Sequence, residues 1–68
     1  MNRFEVERIA VRFINKYGFL WPSQLSRMAD ISWHKSDKTL KRLKKTLELK
    51  TYRVGRVKLY CYPLGENE

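Results

Sequence analysis

The stretch Ser32-Trp-His-Lys-Ser-Asp-Lys-Thr-Leu-Lys-Arg-Leu-Lys-Lys-Thr-Leu47 decides how the rest of this chain is read. Spaced as a helix, Ser36, Leu40, Leu43 and Leu47 recur at i, i+4, i+7 and i+11, which places them on one stripe. At about 100° per residue, the opposite face carries His34, Lys38, Lys41, Arg42 and Lys45. One side of the helix needs a core, and the other presents only nitrogen donors. Asp37, on the flank and four residues before Lys41, is the only acid. Surface helices kept for solubility mix both signs of charge. This helix is therefore read as one that lies in a groove of DNA.

The charge distribution points the same way. The 68 residues carry 15 Lys+Arg against 7 Asp+Glu, a net charge of +8. From Lys35 to Lys58 there are ten basic and two acidic residues, while the remainder holds five of each. All of the excess lies in one contiguous stretch, the electrostatic footprint of a polyanion binder. A chain this short has room for one small domain, read as residues 1–65 with a frayed tail at 66–68. Its hydrophobic share of 43%, with 13% aromatic, suffices for a core and argues against a disordered peptide.

Several function classes fall away on residue types alone. One cysteine, Cys61, and one histidine, His34, provide neither a disulfide nor a metal-ligand set. There is no Ser/His/Asp set, carboxylate pair or phosphate loop, so no enzyme, cofactor or small-molecule ligand is expected. The N-terminus lacks an apolar signal region, and no apolar run approaches bilayer length. The expectation is a cytoplasmic protein with no membrane partner.

Outward from the basic helix, Asn2 to Tyr17 reads as a first helix, with Asn2 and Glu5 forming a capping box. Val6, Ile9, Ala10, Phe13 and Tyr17 make its core stripe, and Gly18 ends it. Phe4 and Val11 fall off that stripe; they are read either as stray apolar residues or as the seam of a homodimer. Phe19-Leu20-Trp21 suits a brief strand. Pro22 opens a second helix to Ala29, in which Leu25, Met28 and Ala29 face inward. Asp30 and Ile31 turn the chain, and Ser32 caps the basic helix.

After Leu47 the period changes from helical to alternating. Leu49 to Val54 and Val57 to Tyr62 are β-branched and aromatic runs around Gly55-Arg56, which predicts a hairpin with a type II′ turn. In that register Val54 faces Val57, Tyr52 faces Leu59 and Lys50 faces Cys61, giving one mainly apolar face. Arg53 and Lys58 pair on the other face, with Arg56 at the tip. Like charges directly across a hairpin destabilise it unless a counter-charge arrives. Pro63 stops the second strand.

Helix, short strand, helix, turn, helix and hairpin is the order of the winged helix-turn-helix, and individual residues resemble that family too. Pro22-Ser-Gln-Leu25-Ser26, Ile31-Ser32, the spaced Ser36, Leu40 and Leu43, and the hairpin ending in Tyr60 and Tyr62 match its degenerate pattern over nearly the whole chain. The likeness is to small archaeal, plasmid or viral DNA-binding members. Three departures stand out: Asp30 where Gly is frequent, Ser36 where Val or Ile is usual, and no Gly to end the third helix. The resemblance implies an α+β fold of three helices, a short strand and a hairpin wing. It also implies sequence-specific binding of double-stranded DNA, with transcription regulation as the role. The third helix, 32–47, would enter the major groove, and the wing, 50–62, would touch backbone or minor groove.

On that reading Trp33, His34, Lys35 and Lys38 reach bases, while Lys41, Arg42 and Lys45 hold phosphates. Arg53, Arg56 and Lys58 on the wing hold phosphates as well, with Arg56 best placed for the minor groove. Plainer roles compete at several positions. Trp33 fits a core or semi-buried anchor better than a base contact, with Ser36 leaving room for it to pack in. The hairpin tyrosines read as packing residues, and Cys61 as a small buried one. Two other functions stay open: an RNA or single-strand module that stacks bases on tyrosines, and a winged helix used to dock an acidic protein.

Overall fold

The computed structural model describes residues 2–63; the expected frayed tail lies outside them. The elements run α1 (Arg3–Tyr17), β1 (Phe19–Leu20), α2 (Pro22–Ala29), α3 (Trp33–Leu47), β2 (Lys50–Val54) and β3 (Val57–Cys61). Three helices and a three-stranded antiparallel sheet of order β1-β3-β2 make an α+β fold, a layout compatible with a winged helix.

Each helix starts and stops for a local reason. The Asn2 side chain accepts from the Glu5 N–H at 3.0 Å, and the Asn2 N–H donates to Glu5 Oε1 at 3.1 Å, a closed capping box. Gly18, at φ 95°, takes the left-handed conformation that ends α1. Trp21 stands at the cap of α2 without capping it, and Pro22 follows as the first helical residue. Ser32 caps α3 by accepting from the Lys35 N–H at 3.2 Å. Where a glycine would be expected, Asp30 and Glu48 each adopt φ 55°. Asp tolerates that conformation through its short polar side chain. Glu48 has no such relief, so α3 ends on a residue that bears some backbone strain.

The core gathers Val6, Ala10 and Ile14 of α1, Leu25 and Ala29 of α2, Leu40 and Leu43 of α3, and Leu20, Leu49 and Tyr60. The stripe expected on α1 is thus shifted. Ile14 is buried, whereas Tyr17 is 55% exposed and Ile9 and Phe13 pack only at the edge of the core. Val6, Ala10 and Ile14 recur every four residues, and a straight helix presents that row to its neighbours as readily as the mixed spacing.

Two serines replace hydrophobic packing with hydrogen bonds. The buried Ser36 hydroxyl donates to the Pro22 carbonyl at 2.6 Å, tying α3 to the first turn of α2 and giving a buried hydroxyl its partner. Trp33 does not pack in beside Ser36 as a core anchor; it is 54% exposed. In the turn between α2 and α3, the Ser26 hydroxyl donates to the Ile31 carbonyl at 2.6 Å, while the Ile31 N–H donates to the Ser26 carbonyl at 3.1 Å.

The hairpin pairs as its alternation predicts: Lys50 with Cys61, Tyr52 with Leu59, Arg53 with Lys58 and Val54 with Val57. Gly55 has φ 63° and Arg56 does not have positive φ, which fits a type II′ turn and not I′. The mainly apolar face is not the one that meets the core. Leu20 of β1 pairs with Tyr60 of β3, and both are fully buried. The core side of the hairpin therefore carries Tyr60, Thr51, Arg53 and Lys58. Its outer side carries Tyr52, Val54, Val57, Leu59 and Cys61. Cys61 is half-buried on that outer side, and Tyr60 alone of the hairpin tyrosines is core.

Candidate nucleic-acid interface

The stripe of α3 that packs inward fixes which of its side chains point out. Ser36, Thr39, Leu40 and Leu43 are buried, so His34, Lys38 and Lys45 form the outermost ridge, and all three are exposed. A cleft opens along each flank of that ridge.

On the hairpin side, a cleft of about 290 Å³ brings Trp33, Asp37 and Lys41 of α3 together with Arg53, Arg56 and Lys58 of the hairpin. Trp21, Pro22 and Ser23 close its far end at the start of α2. Arg53 and Lys58 enter it because they sit on the core side of the hairpin, beyond the point where the core stops. The like-charged pair Arg53–Lys58 is thereby aimed at the same space as Lys41, so three cations need the same counter-charge. Asp37 supplies part of it, pairing with Lys41 at 3.1 Å. Its lysine end is exposed, and such a solvent-screened pair is weak and open to competition from a more highly charged anion.

Beside this cleft but not lining it, Tyr60 is fully buried. Lys58 Nζ lies 5.8 Å from its ring centroid, and its buried hydroxyl has no hydrogen-bond partner among the described residues. Burial pushes its pKa above the ordinary value of 10.0, and the negative charge of Asp37 adds to the rise.

On the α1 side, a cleft of about 260 Å³ is lined by Lys35, Lys38 and Arg42 of α3 and by Arg3 of α1. Arg42 does not stand free there: Nη1 lies 3.0 Å from Glu7 Oε2. That pair crosses between helices and orients the guanidinium toward α1. Lys41 and Arg42, adjacent in sequence and expected to act together, thus serve opposite flanks.

The residues singled out on the sequence separate accordingly. Trp33, Lys41, Arg53, Arg56 and Lys58 line the hairpin-side cleft. Lys35, Lys38 and Arg42 line the other, and His34 and Lys45 stand exposed on the ridge between. Phe4 and Val11 differ in exposure. Phe4 is 69% exposed beneath the Arg3 guanidinium, whereas Val11 packs against the core. The sequence left Arg3, Ser23 and Trp21 unmarked. Arg3 lies outside the basic run, and only the packing of α1 beside α3 brings it to the cleft.

No family model, curated protein or solved structure matches this chain. Among the described residues no helix is long and apolar enough to cross a membrane, and no group of three or more acidic, histidine or cysteine side chains gathers to hold a metal.

Proposed function

We propose that the protein is a winged-helix reader of double-stranded DNA, with α3 in the major groove and the β2–β3 hairpin as the wing. The observation that carries this reading is the hairpin-side cleft. Lys41 comes from one element and Arg53, Arg56 and Lys58 from another, yet all converge on a single groove. A duplex with α3 in its major groove offers a phosphate strand at the groove's edge, and that strand fits between helix and wing. Lys41, Arg53, Arg56 and Lys58 then hold phosphates, with Lys45 and Arg42 adding charge along the helix. Trp33, His34, Lys35 and Lys38, at the N-terminal end of α3, face base edges, and Lys38 suits guanine O6 and N7. Transcription regulation is the role that such binding most directly serves.

The exposed Trp33 beside cations also favours a second reading, in which unpaired bases stack in the cleft. Competition between duplex and single strands, using sequences selected from a random duplex pool, separates the two. Duplex preference with a recovered consensus supports the first reading, and equal affinity for single strands sinks it. In the same assay Lys38→Ala should narrow the gap between consensus and non-consensus duplex by roughly tenfold, since a good base contact is worth about 1–3 kcal/mol. A uniform loss on every sequence would return Lys38 to the phosphates.

A further inference from the structure

The outer face of the sheet is apolar on all three strands. Phe19 and Trp21 come from the β1 edge, Val57 and Leu59 from the central β3, and Tyr52 and Val54 from β2. Val54 is 61% exposed, Tyr52 48%, Val57 42% and Phe19 39%, and the Phe19 and Trp21 rings stack at 5.6 Å. Among the outward positions of the strands only Lys50, at the end away from the hairpin tip, is charged. Such a face has almost nothing to offer a phosphate. A contiguous apolar patch with a polar rim is instead the mark of a protein contact.

We propose that this face packs against the same face of a second copy of the chain when both copies stand on one DNA duplex; the inference rests on the DNA-binding reading above. Charge selects the occupant. The chain carries +8, so an acidic partner would settle on the basic flanks of α3, where it finds cations to pair with. A second copy is repelled by those flanks and meets least repulsion where neither copy presents charge. Area selects the circumstance. Three strands about 4.8 Å apart and five residues of about 3.3 Å each span roughly 14 by 17 Å. That is on the order of 240 Å², against about 800 Å² per partner in a stable complex. Faces of this size do not hold two strongly cationic chains together in free solution. A duplex neutralises both copies and confines them side by side.

The symmetry follows from the fold. A face that packs on itself requires a two-fold axis lying in its own plane. An axis along the strands leaves both hairpin tips, each with Arg56, at the same end, where one duplex can meet both. An axis across the strands sends the tips in opposite directions. The first arrangement makes the target an inverted repeat.

The test is binding to duplexes that carry one or two copies of the selected half-site. The chain itself is compared with the double variant Tyr52→Thr/Val54→Thr, which keeps the charge and a β-branched residue at two exposed positions that do not line the hairpin-side cleft. The second copy should bind the two-site duplex about tenfold more tightly than the first, within the usual range of coupling. The double variant should keep single-site affinity and lose that factor. Cys61, the only cysteine, lies on this face near an axis along β3, so a short bismaleimide should give a covalent dimer on the two-site duplex and not on the one-site duplex. Normal single-site binding without cooperativity, or cooperativity that survives the double substitution, overturns the second copy as occupant. Failure to bind any duplex overturns the DNA reading itself, and this inference with it.

Discussion

The two faces of the hairpin share ten residues and one register, yet they meet opposite surroundings. The core side places Tyr60 among the helices and then, past the last buried residue, turns Arg53 and Lys58 toward Lys41. The outer side exposes Tyr52, Val54 and Val57 to solvent. The contrast teaches that hydrophobicity alone does not choose the buried face of a short hairpin. Here the more apolar side is outside. The more mixed side is inside because one large residue, Tyr60, fills the core while the cations beside it run out over the edge.

The largest expected effect tests whether the two sides differ as much in stability as in burial. Tyr60→Ala removes a fully buried ring and should cost about 3–5 kcal/mol, enough to unfold much of a small domain. Tyr52→Ala, half exposed on the outer side, should cost under about 1 kcal/mol. Urea titration followed by circular dichroism measures both, and similar losses would erase the distinction.

A smaller contrast concerns charge. Arg53→Ala and Arg56→Ala should each lower the slope of log K against log salt by about one unit for duplex binding, with thermal stability nearly unchanged. Val54→Thr, one residue from Arg53 but on the outer side, should leave the slope unchanged. If Arg53 and Val54 substitutions behave alike, the cleft is not the phosphate seat.

The smallest effect lies in the Tyr60 hydroxyl. It is buried without a partner, so Tyr60→Phe should be neutral or stabilising, by up to about 1 kcal/mol or several degrees in Tm. The sign of its pH dependence follows from the raised pKa. The unfolded chain releases this proton near 10.0 and the folded chain only at higher pH. Stability is therefore complete below pH 10 and falls as pH rises above it. Comparing the alkaline limbs of melting temperature in the two proteins isolates the contribution of Tyr60. The Phe variant should fall less steeply, and parallel limbs would mean that Tyr60 ionises as easily folded as unfolded.

Much of this molecule was legible from local chemistry. The capping box at Asn2, the glycine stop at Gly18, Pro22 at the start of α2, Ser32 before α3 and the hairpin register each depend on residues within a few positions of one another. Local hydrogen bonds and alternation decide such features whatever the rest of the chain does. The gathering of cations on one side of α3 was legible for the same reason, since helical periodicity alone separates Lys38 and Lys41 from Leu40 and Leu43.

What the sequence by itself determined, then, is the order of elements and which side chains share a face. Only the tertiary structure decided where each face points. Pairing of Leu20 with Tyr60 turned the hairpin's apolar side outward, and packing of α1 against α3 drew Arg42 to Glu7. Trp33 stands 54% exposed at the hairpin-side cleft, while Ser36 holds the Pro22 carbonyl. These contacts join residues far apart in the chain, and no local period encodes them. Their outcome depends on how the remaining elements fill the same limited core volume.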